Sequence, residues 1–65
     1  MDENKIAATA AECLRVSIAQ DRPFAHVEHY VANLRANPHW SDADVIKVQS
    51  HVIQSLLKRI EDRAG

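Results

Sequence analysis

Trp40-Ser41-Asp42-Ala43-Asp44-Val45-Ile46-Lys47-Val48 is the most explicit local signal in this 65-residue chain, and it marks the start of a helix. Ser41 is a strong N-cap, because its hydroxyl accepts a hydrogen bond from one of the amides that the first turn leaves unpaired. Asp42 and Asp44 set negative charge against the positive end of the helix dipole. Trp40 before the cap and Val45 after it have the spacing of a hydrophobic staple. Beyond them Val45, Ile46, Gln49, Val52, Ile53, Leu56, Leu57 and Ile60 fall on one helical face, with Val48 at its edge. Lys58, Arg59 and Arg63 suit the negative end of the dipole. The spacing predicts a helix over 42–63.

Working back from Trp40, Asn37-Pro38 closes an earlier helix, since a residue before proline avoids the α region. That helix is expected over 23–36, with Phe24, Val27, Tyr30, Val31 and Leu34 as its apolar stripe. Asp21-Arg22-Pro23 separates it from a first helix over 3–20. Asp21 is the expected N-cap and Pro23 fits the first turn, where its missing N–H is no loss. The first helix presents Ile6, Ala7, Ala10, Ala11, Cys13, Leu14, Ser17 and Ile18 on one face. Five of these eight are small, so a neighbour can approach closely. The reading is a single all-α domain over 1–65, a small three-helix bundle with a long third helix.

Size and pattern then predict a homodimer. So short a chain buries only roughly 60% of its unfolded surface, and its core is marginal. The single Cys13 excludes an internal disulfide. At about 1.5 Å per residue the third helix is roughly 33 Å long and the second roughly 21 Å. Its apolar arc of roughly 180° is wider than one neighbour needs. Either the first helix or another copy must cover the remainder. The expected oligomer interface is Gln49, Val52, Ile53, Leu56, Leu57 and Ile60. Gln49 lies within the apolar arc, where it either fixes register across a seam or reaches an edge or a backbone carbonyl.

Composition excludes several classes. Eight Lys and Arg against nine Asp and Glu give a net charge of −1, without the basic surplus that phosphate binding exploits. No run nears the ~20 apolar residues of a membrane span, and Met1-Asp2-Glu3-Asn4-Lys5 does not open a signal peptide. A cytoplasmic location is therefore expected.

Chemistry-bearing residues are few. His26 and His29, three apart, have a spacing that holds metals, but no third ligand is identifiable. They are read as solvent-facing, with no metal and no cofactor. Cys13 lies mid-helix among Ala10, Leu14 and Ser17 and reads as a buried structural thiol. No catalytic constellation emerges, so no enzyme is expected. Trp40, explained by the staple, also suits a partner anchor. Lys47, His51, Gln54 and Lys58 form a polar stripe on the third helix. The resulting expectation is a small regulatory or adaptor protein acting by protein–protein contact, of the kind found among bacterial or phage-encoded inhibitors. The alternative is a nucleic-acid-binding helical dimer using the polar stripe.

Overall fold

The computed structural model describes residues 2–64 and contains three helices, α1 (Glu3–Ile18), α2 (Pro23–Ala36) and α3 (Asp42–Ala64), with no strand among the described residues. α1 is capped by Asp2, whose carboxylate accepts from the Asn4 amide at 2.9 Å. It stops at Ile18, two residues before the expected end. The Gln20 amide donates to the Ser17 carbonyl at 3.0 Å, which tightens the last turn and lifts the chain off the helix axis. Pro23 then forces the residue before it out of the α region: Arg22 has φ −126 and ψ 79. Arg22, not the expected Asp21, is the N-cap of α2, and no side chain closes that end. Proline at N1 removes one of the amides that would need closing.

Asn37 leaves α2 in extended backbone, with ψ 121, as its position before Pro38 requires. Its side-chain oxygen accepts from the His39 amide at 2.9 Å, and its carbonyl accepts from the Trp40 amide at 3.1 Å. That turn delivers Ser41 to the start of α3. The Ser41 oxygen accepts from the Asp44 amide at 3.2 Å, while its hydroxyl donates to the Asp44 carboxylate at 2.9 Å. The two residues close the helix end reciprocally. No described residue has a positive φ, so both connections are made from ordinary backbone.

α1 and α3 run in the same direction and pack directly on each other, and α2 runs back antiparallel to both. Lys47 meets Glu3 at 3.1 Å near one end, while Leu14, Arg15 and Ile18 lie beside Ser55, Lys58 and Asp62 near the other. The core is Ile6, Ala10, Cys13 and Leu14 of α1 against Val48 and Val52 of α3, with Val27, Tyr30, Leu34 and Trp40 packed around it. The small residues of α1 select the valine edge of α3. Val45 and Val48 are 0% exposed, whereas Ile46, Ile53, Leu57 and Ile60 are all more than half exposed. The inward face of α3 is thus rotated toward Val48, which the sequence pattern places only at the edge. Beyond Val52 every described residue of α3 as far as Arg63 is exposed, so the far end of the long helix is bare on all its faces, as well as along its isoleucine stripe.

Phe24, expected in the core, is 77% exposed, and Ile18 also stands out. The molecule is a slab of 40 × 25 × 14 Å with a radius of gyration of 12.1 Å. A compact chain of this length has a radius of about 10.7 Å. The accessible surface is 4918 Å², against roughly 4,200 Å² for a compact monomer of 7.3 kDa.

Candidate functional site

The slab has one apolar side. Between α2 and α3 runs a groove of about 580 Å³, floored by the buried Leu14, Val31 and Val52 and walled by Phe24, Ile53 and Leu56. Its position follows from the sequence. Pro23 starts α2 abruptly, so Phe24 falls in the first turn, opposite the middle of α3 and beyond the reach of a third layer. Glu28 and Arg35 stand along the α2 side, and half-buried Gln49 on the α3 side. Neither Glu28 nor Arg35 forms an ion pair with a described residue. From the groove the apolar surface continues along α3 as Ile46, Ile53, Leu57 and Ile60, which share one face by their spacing.

The exposed large apolar residues are Ile18, Phe24, Ile46, Ile53, Leu56, Leu57 and Ile60. Together they present the equivalent of about four fully exposed large apolar residues. The largest apolar patch on a typical monomer is about 300–600 Å². Scattered exposed leucines need no explanation, but a contiguous face of this size does.

The expected interface residues divide in position. Ile53, Leu56, Leu57 and Ile60 are exposed on this side, and Gln49 is half-buried beside them. Val52 is 3% exposed and belongs to the core of the single chain. The Gln49 amide bonds to no other described residue.

The histidines are not equivalent. His29 is exposed, but His26 is half-buried and its Nδ1 lies 2.9 Å from the Ser17 hydroxyl, joining α2 to α1. This corrects the reading of both as solvent-facing. A signal for it exists in the sequence: a serine on an apolar helix face needs a hydrogen-bond partner once buried. The pair resembles a nucleophile with its base, yet Ser17 is 1% exposed. The backbone amides around it are spent on the helix, leaving no donors for an oxyanion. Its role is to tie two helices together.

Cys13 is free and buried. Burial pushes its thiol above the ordinary value, and a hydrogen bond from Ser17 pulls more weakly the other way. Such a thiol stays protonated at neutral pH and is inert. Tyr30 is also raised, first by burial and then by the charges of Glu12 and Cys13. Among the described residues, no three of His, Cys, Asp and Glu come close enough together to hold a metal.

Lys47, His51, Gln54 and Lys58 share the side of α3 turned toward α1, away from the bare isoleucines. Lys47 is engaged by Glu3 at 3.1 Å, and His51 is half-buried. Trp40 is half-buried against the core, so less of its ring is available than a free anchor would offer. No described helix is long and apolar enough to cross a membrane. No protein family, curated protein or solved structure matches the chain.

Proposed function

We propose that this protein is a small cytoplasmic regulatory or adaptor protein, not an enzyme, that works by protein–protein contact and does so as a homodimer. One observation carries the reading: a contiguous apolar face of groove and stripe on one side of a thin slab. Burying such surface is the main favourable term in association, at about 25 cal/mol per Å² before the costs of ordering. Nothing else among the described residues concentrates so much unspent free energy. The inert Cys13 and the enclosed Ser17 add to the case against catalysis. A bacterial or phage-encoded inhibitor fits the same description.

Nucleic acid is the second reading, because the Lys47, His51, Gln54 and Lys58 stripe lies on the side of α3 that a dimer through the isoleucines leaves open. The Glu3 pair on Lys47 and the net charge of −1 weigh against it. Two measurements separate the readings. Sedimentation equilibrium at micromolar concentration is expected to give twice the chain mass of 7.3 kDa. Mixed DNA and RNA at low salt are expected to leave that species unshifted; a salt-dependent shift would favour the stripe.

A further inference from the structure

We infer that the groove between α2 and α3 is filled by the α3 stripe of a second copy of this chain, in a two-fold arrangement anchored by Phe24. This rests on the self-association proposed above and names its surface. The concave and convex parts lie side by side on one chain, the groove walled by Phe24, Ile53 and Leu56 and the apolar stripe running on from Ile53 through Leu57 and Ile60. A two-fold axis that seats one stripe in the partner's groove necessarily seats the partner's stripe in the first.

The amount of surface agrees. A standard stable interface takes about 800 Å² from each partner, somewhat more than half of it apolar, and the exposed side chains of this face are enough to supply that apolar share. A single foreign helix in the groove would cover Phe24 and Leu56 and leave Ile46, Leu57 and Ile60 in water. A second copy covers both parts at once. It also supplies the missing layer of a slab only 14 Å thick.

The polar groups at the groove are compatible with a copy of themselves. Glu28 and Arg35 are opposite in sign on one edge of α2, so two edges meet without like-charge repulsion and can pair reciprocally. Gln49 carries both a donor and an acceptor, and its amide is bonded to no other described residue, so two copies satisfy each other.

The test uses Phe24→Asp and Ile60→Asp, both at positions exposed in the single chain, with helicity by circular dichroism as the folding control. Each is expected to weaken the dimer about 30-fold or more in sedimentation equilibrium while helicity is kept, as removal of a buried anchor does. If Phe24→Asp associates like the wild type while Ile60→Asp does not, the dimer forms without the groove. The inference then falls and self-association stands. Should the aspartate disturb folding, Phe24→Ala adds no charge, and unchanged association of that variant overturns the inference equally. A wild-type chain that is folded and monomeric defeats both and leaves the groove to a helix of another protein.

Discussion

Among the described residues, Ser17 and His26 form the side-chain hydrogen bond that links α1 to α2, and it decides how two side chains should respond to mutation. The Oγ–Nδ1 distance of 2.9 Å and the burial of Ser17 make this a bond whose loss leaves a buried hydroxyl with only the weakly bonding Cys13 thiol beside it. His26→Ala is therefore expected to cost about 1 kcal/mol, and His29→Ala less than about 0.5 kcal/mol. Equal effects in thermal melts would mean that the bond contributes nothing. Cys13 and Tyr30 set a second response. Both have acid constants raised in the folded state, from ordinary values of 9.0 and 10.0. The folded chain therefore holds protons that the unfolded chain releases at alkaline pH. Their stabilisation is whole below about pH 9 and is lost as pH rises beyond it. Cys13→Ala removes one of the two groups, so its melting temperature should fall less steeply than the wild type's between about pH 8.5 and 10.5. Parallel slopes would remove Cys13 from the account.

At the scale of single helices, the start of α3 is the most consequential feature. Ser41→Ala removes both halves of its reciprocal contact with Asp44 and is expected to cost about 0.5–2 kcal/mol. In a domain of this size each kcal/mol moves the melting temperature by roughly 4–8 °C. An unchanged melt would show that the end is closed by other means. The helices themselves were legible, because Ser41, Pro23 and Asn37-Pro38 act locally and need no knowledge of the fold. The ends that shifted did so for tertiary or turn reasons: α1 stops at Ile18 on the Gln20–Ser17 bond, and Arg22 takes the capping position from Asp21. The face of α3 was less legible. Isoleucine and leucine dominate a hydrophobicity pattern, but α1 offers Ala10, Cys13 and Ser17, a shallow surface that accepts valine at close range. Which stripe turns inward depends on the neighbour's relief. A helix's own sequence does not contain that.

For the whole molecule, the groove could not be read from the pattern at all, because it arises where Phe24 and the outer face of α3 fail to meet a third layer. If a second copy supplies that layer, stability follows mass action, and the melting temperature should climb as concentration rises. A melting temperature independent of concentration over a hundredfold range, roughly 2.7 kcal/mol of linkage at saturation, would argue for a self-sufficient monomer. The connections between helices have a different consequence. With no described residue at positive φ, neither turn reserves a place for glycine, and the constraints on the chain reduce to two prolines, a capping serine and a pattern of side-chain sizes. Requirements of that kind are met by many sequences. Descendants of this protein are free to drift far in identity while keeping the same three helices, so kinship would be recorded in the spacing of its residues and not in their names.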